Sequence, residues 1–171
     1  MSEQQTRPTN QLRQIGATLH PESRFPIPVS DGYSVYSALL NVLDDVDSEV
    51  SARIHDSQFG SLHVSGLRGV FGDSDRPHHK SVRPDEEYYL SLGIADPEDS
   101  DIFQALVNAF VLENDFLELT HGRLRVAEFQ SSNVTHEGLL EQASSFDNPN
   151  IAMQFHTATC IEEAGDVTTM F

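Results

Sequence analysis

From Tyr88 to Ile94 the side chains alternate without a break, Tyr88, Leu90, Leu92 and Ile94 against Tyr89, Ser91 and Gly93. A period of two means a β-strand with one buried face. Ile15, Ala17 and Leu19 repeat the pattern against Gln14, Gly16 and Thr18. Such strands need a covering layer on the apolar face, and three stretches have the period to supply it. After a cap at Ser30 or Asp31, Tyr36, Leu39, Leu40 and Leu43 recur at helical spacing. A short second piece carries Val50 and Ile54 four apart and ends at His55-Asp56-Ser57. Beyond a cap at Asp96, Asp99 or Ser100, Ile102, Phe103, Leu106, Val107 and Phe110 form one helical face.

The remaining chain is less regular. Pro21 to Pro28 is turn-rich, and Leu62 to Val70 is a strand weakened by Gly66 and Gly69. Gly72 to Pro84 reads as a loop. Phe116 to Leu119, a turn at His121-Gly122, then Leu124, Val126 and Phe129 read as a hairpin. A polar loop follows, and Ile151, Met153, Phe155 and Thr157 alternate once more. The order is strand, helix, strand, strand, helix, strand, with a strand or two appended. It predicts an α+β, ferredoxin-like (βαββαβ) two-layer sandwich, with a four-stranded antiparallel sheet and two helices. The expected division is a flexible tail at 1–12, the domain at 13–160, and a linker at 161–171. That fold hosts many unrelated functions, so function must come from particular residues.

Composition narrows the field. The chain has 171 residues, enough for one ordinary domain. No apolar run is long enough for a membrane-spanning helix, and the polar N-terminus has no signal-peptide core. A lone Cys160 excludes a disulfide framework or a Cys-rich zinc module. The cytoplasm is the expected compartment. Acidic residues number 27 against 10 basic ones, a net charge of −17. Lys80 is the only lysine. This balance predicts a salt-adapted surface of haloarchaeal type, with an acidic partner-binding protein as the alternative. Bulk charge disfavours nucleic acid, so RNA or DNA binding has to rest on a local patch.

Two constellations carry chemistry. His55, beside Asp56 and Ser57, has the side chain for proton transfer near neutral pH; a histidine at a helix C-terminus is also favourable with no function at all. Arg68, Arg76, Lys80 and Arg83, with His63, His78 and His79, form the one net-positive window. It reads either as a phosphate-contacting patch or as a solvated loop. Adjacent His78 and His79 make a poor metal site, and none is expected. The stretch from Asp85 to Glu118 holds ten acids and no base, most simply a solvated face.

Ile27-Pro28-Val29-Ser30 leading into a helix, Ala52-Arg53-Ile54-His55-Asp56 at a helix exit, and Leu62-His63-Val64-Ser65-Gly66-Leu67 in a strand occur in that order. Together they resemble the N-terminal half of the CRISPR-associated repeat-processing endoribonucleases of the RAMP superfamily. The strand at Tyr88–Ile94 and the helix and hairpin after it continue the likeness over roughly residues 12–160. The resemblance implies a RAMP- or RRM-like fold, no cofactor and no metal, and cleavage of repeat RNA by its own 2′-hydroxyl. It places the family's catalytic histidine at His55; with RNA as the implied ligand, the phosphate contacts are expected from the positive window, Arg68, Arg76, Lys80 and Arg83. Repeat RNA is the implied partner; further CRISPR interference-complex subunits and a homodimer stay open. Many relatives have a Tyr where this chain has Leu40 and a Lys where it has Ser61, and the family's Gly-rich loop is absent. By this likeness the chain is a half-enzyme, inactive alone. The alternative is a non-catalytic interaction or RNA-binding module.

A surface this acidic repels itself until salt screens it; the Debye length falls from about 8 Å at ~0.15 M to about 3 Å at 1 M. Thermal melts should therefore show stability still rising between ordinary and molar salt. Equal melting temperatures at both would remove the salt-adapted reading.

Overall fold

The computed structural model describes residues 11–56, 62–96, 100–113, 115–147, 150, 152, 159–163 and 166–170. The strands are β1 (Gln11–Pro21), β2 (Phe25–Pro28), β3 (Leu62–Val64), β4 (Arg68–Gly69), β5 (Gly72–Asp73), β6 (His79–Val82), β7 (Tyr88–Ile94), β8 (Phe116–Leu119), β9 (Gly122–Thr135), β10 (Thr159–Glu163) and β11 (Asp166–Met170). The helices are α1 (Gly32–Val46), α2 (Ser48–Asp56), α3 (Ser100–Val107), continued by a π-helical segment at Asn108–Glu113, and α4 (His136–Ser144). The main sheet runs β3-β7-β1-β9-β8, with β4 also on β7. Every pair in it is antiparallel. β2, β6 and β5 form a second sheet, and β10 and β11 pair with each other.

The two alternating strands sit side by side, Ile15 opposite Leu92 and Leu19 opposite Tyr88. Their apolar faces are buried. Val35, Ala38, Leu39, Val42 and Leu43 of α1 share that core with Val50 and Ile54 of α2 and Ile102 and Leu106 of α3. Asp47 starts α2, its Oδ1 accepting from the N–H groups of Glu49 and Val50 at 3.1 Å each. In β9 the apolar positions Leu124, Val126 and Phe129 break strict alternation. A register shift between Thr18 and Leu19 moves the pairing from Val126 to Glu128. The extra residue, Ala127, lets Phe129 turn back toward the helices, where its ring meets Phe103 and Phe110 at 6.5 and 6.4 Å.

Several expectations need correction. The main sheet has six strands where the pattern predicts four, because β8 and β9 both join and β4 pairs beside β3. The strand expected over Leu62–Val70 is interrupted at Ser65–Leu67, where the Ser65 hydroxyl accepts from Ser91 N–H at 3.0 Å and donates to Gly66. The turn-rich segment and the expected loop Gly72–Pro84 are partly strand, since β2, β5 and β6 satisfy one another. The polar stretch after Phe129 extends β9 to Thr135 and then forms α4, whose first turn Thr135 caps by accepting from Gly138 N–H at 3.0 Å. Gln11 and Leu12 of the expected tail are already in β1, paired with Thr135 and Val134; residues 1–10 lie outside the described residues, as do Ile151, Met153, Phe155 and Thr157 of the last expected strand. β10 and β11 occupy the segment expected as a linker.

Tyr88 links the two sheets. Fully buried at the start of β7, its hydroxyl donates to Val70 C=O at 2.8 Å and accepts from Arg83 N–H at 2.9 Å. Burial pushes its phenol above the ordinary pKa. Gly69 lies against the ring; a Cβ there would come within 2.7 Å of it, at a φ of +156°. Tyr88→Phe should cost about 1–3 kcal/mol by stranding two backbone groups. Gly69→Ala should be at least as harmful through the clash. Urea titrations of both variants check this, and a neutral Tyr88→Phe would show the bridge to be dispensable.

Candidate nucleic-acid interface

His55 stands on the last turn of α2, and both it and Asp56 are exposed. The helix is positioned by Val50 and Ile54 in the core and by an ion pair from Arg53 Nη2 to Asp101 Oδ1 at 2.7 Å, which ties it to the start of α3. Ser51 adds a hydrogen bond to Leu40 C=O on α1 at 3.1 Å. The imidazole is thus an exposed group on a firmly packed helix. Ser57, weighed with Asp56 as a group to orient the ring, lies outside the described residues.

The four basic residues of the positive window differ in what holds them. Arg83 makes two hydrogen bonds to Asp85, 3.2 and 2.5 Å long, and lies 3.6 Å from Glu86. The guanidinium holds the Asp85 carboxyl below its usual range. Lys80 is only 20% exposed; its ammonium sits 2.9 Å from Oδ2 of Asp31 and 3.9 Å from the centroid of the Phe71 ring. Asp31 is 3% exposed. The sequence offered it as a helix cap, and it does occupy the position before α1, but its side chain makes no capping hydrogen bond. Oδ2 has no directed hydrogen bond either, so charge attraction to Lys80, with the positive end of α1, holds it.

Arg76 and Arg68 remain on the surface. Arg76 Nη1 donates to His121 Nε2 at 2.6 Å. A tight turn sets that direction. His79 N–H bonds to Arg76 C=O at 3.2 Å, with Pro77 second and His78 third at φ +59°. This is the pattern of a type II turn, which asks for glycine at the third position. A histidine there costs on the order of 1 kcal/mol.

The sheet register separates the two constellations. β3, reached from α2, pairs Leu62 with Ile94, whereas β4 pairs Arg68 with Tyr89. Five residues of strand, about 17 Å, lie between those points on β7, so the strand that follows α2 and the strand that carries Arg68 meet β7 at different places. His121 was read in the sequence only as part of a hairpin turn; its meeting with Arg76, 45 residues away, had no local signal. The acidic stretch is also more than a solvated face, since Asp85, Glu86 and Asp101 each hold an arginine. Among the described residues no three His, Cys, Asp or Glu side chains converge as a metal site, and no helix is long and apolar enough to cross a membrane.

Removing one partner of a buried pair leaves an uncompensated charge, at about 3–5 kcal/mol. Lys80→Ala should therefore lower the melting temperature by roughly 6 °C or more at this chain length, with no RNA present. Asp31→Asn combined with Lys80→Met should recover most of the loss. An unchanged melt for Lys80→Ala would mean the pair is not structural.

The sequence matches no protein-family model and no curated protein. Solved structures do match. One is an RAMP protein that binds different RNA substrates, with a TM-score of 0.54 at 13% identity over 92% of this chain and 61% of the other. Another is the product of a Cas6-related gene from Pyrococcus furiosus, with a TM-score of 0.53 at 13% identity over 93% and 61%. The chain thus spans 61% of the length of both proteins. At that identity the likeness is one of fold, and the structural neighbours of this chain are RAMP and Cas6-related proteins.

Proposed function

We propose that this chain is the N-terminal part of a metal-independent endoribonuclease that processes CRISPR repeat RNA. The observation that carries the proposal is an exposed histidine on the last turn of α2, in a chain with the fold of RNA-binding RAMP proteins. In this account β1, β3, β7 and β9 with α1 and α3 are the ferredoxin-like core. The acid-rich surface is a salt adaptation, and the protein works in the cytoplasm.

The chemistry asks little of the protein. The RNA supplies its own nucleophile, the 2′-hydroxyl beside the scissile phosphate. A proton must leave that oxygen and another must reach the departing 5′-oxygen. An imidazole can serve either step, and we assign that role to His55, exposed on the last turn of α2. The RNA would run from there along the sheet toward Arg68 and Arg76, whose guanidiniums take phosphates. Lys80 and Arg83 hold the loop segment that presents Arg76. Because the overall charge is repulsive, these contacts must act at short range.

In the full-length protein, His55→Ala should lower repeat-RNA cleavage by about 10²-fold or more while affinity stays within a few-fold. EDTA should have no effect, and the product should end in a 2′,3′-cyclic phosphate. Full activity in His55→Ala, or inhibition by EDTA, would overturn the mechanism. Repeat-RNA binding with no cleavage under any condition would favour the non-catalytic RNA-binding module instead.

A further inference from the structure

Between β2 and the β8–β9 turn lies an open cleft of about 220 Å³. Pro26, Pro28 and Leu119 give it apolar surface, while His79, Thr120 and His121 supply polar edges. Its size falls below the about 300–1,000 Å³ of ordinary small-molecule sites, so it suits a single ring rather than a whole cofactor. Arg76 Nη1 lies 2.6 Å from His121 Nε2 at one edge of the cleft. A guanidinium has five N–H groups, so Arg76 keeps others for an anion beside the cleft. The type II turn with His78 at positive φ serves this arrangement, since it directs Arg76 to His121 and places His79 on the cleft wall. On α1, Ser34 also lines the cleft, and its neighbour Tyr33 is 81% exposed.

Apolar surface, hydrogen-bonding edges and one cation beside them match a flat heterocycle attached to an anion. We propose that this cleft takes one unstacked base of single-stranded RNA, with the adjoining phosphate on Arg76 and a neighbouring base on the Tyr33 ring. A base inside a duplex has its faces covered and cannot enter, so the site selects single strands, as stacking platforms do. This rests on RNA being the ligand of the chain, and adds to it a position, with no lining residue from α2, where the strand is gripped.

The test uses the 171-residue chain and a labelled ten-nucleotide oligouridine RNA, with affinity read by fluorescence anisotropy through a salt series. Arg76→Ala combined with His121→Ala should weaken binding about tenfold. It should also reduce the slope of log affinity against log salt by about 0.7, the share of one phosphate on a single strand. Thr120→Glu, an exposed turn substitution that puts a carboxylate at the cleft, should cause a similar loss without altering the fold. Arg125→Ala removes one positive charge from exposed β9 surface and should change affinity less than twofold. Cleft variants that bind within twofold of the unaltered chain, or lose no more than Arg125→Ala, would overturn the cleft while leaving RNA binding intact. An unaltered chain that binds no RNA would overturn the cleft, and repeat-RNA cleavage by the full-length protein then decides the proposed function separately.

Discussion

A lysine that is the only one in the chain sits largely inside it, and the second sheet is fastened through it. Lys80 lies on β6 and Asp31 immediately before α1, so their ion pair joins the β2-β6-β5 sheet to the first helix packed on the main sheet. Phe71 closes over the ammonium. In a molecule with 27 acidic residues, the one carboxylate buried among the described residues is the one that meets this lysine. The position has consequences for salt. Exposed carboxylates are screened as ionic strength rises, but a buried pair is screened much less. Salt therefore acts on the repulsion between surface acids and leaves the internal tie in place.

The same pairing logic sorts the remaining cations. Arg53, Arg83 and Arg123 are engaged by acids, Arg123 by Glu22 and Glu118. Arg13 lies over the Phe103 ring and Arg24 bonds to the Asp73 carbonyl. Arg76 has an imidazole as its partner, so, as with Arg13 and Arg24, its contact partner is not a carboxylate that would cancel its charge. On so acidic a surface that difference matters more than a count of bases, because an incoming phosphate feels only the charges that nearby carboxylates have not neutralised.

How far the sequence could be read follows from the range of the interactions. β7, the inner half of β1, α1, α2 and the β8–β9 hairpin were legible because each imposes its own period, and His55 at the α2 exit was legible with them. β2, β5 and β6 were not. They have two to four residues each, β2 contains Pro26 and Pro28, and β2 finds its partner β6 only dozens of residues further on, while β5 and β6, though close in sequence, are too short to show a period of their own. α4 was hidden because it buries no residue and so has no apolar face to announce it. The basic window was visible as composition, but its division into a buried Lys80, a paired Arg83 and exposed Arg68 and Arg76 depends on Asp31, Asp85 and His121. Two of those three partners are far away in sequence.

That division bears on how a strand of RNA could lie on this fold. If all four bases of the window were equivalent, the positive patch would be a diffuse attractor, easily lost in the field of a chain at −17. With Lys80 and Arg83 committed to carboxylates, attraction is confined to a few points whose directions are set by backbone geometry, such as the turn that carries Arg76. Rising ionic strength removes long-range steering first, whereas a directed guanidinium–phosphate contact weakens more gradually with salt. An acidic protein that grips RNA in concentrated salt would therefore be expected to rely on apolar slots and directed guanidiniums, and the cleft between β2 and the β8–β9 turn has both.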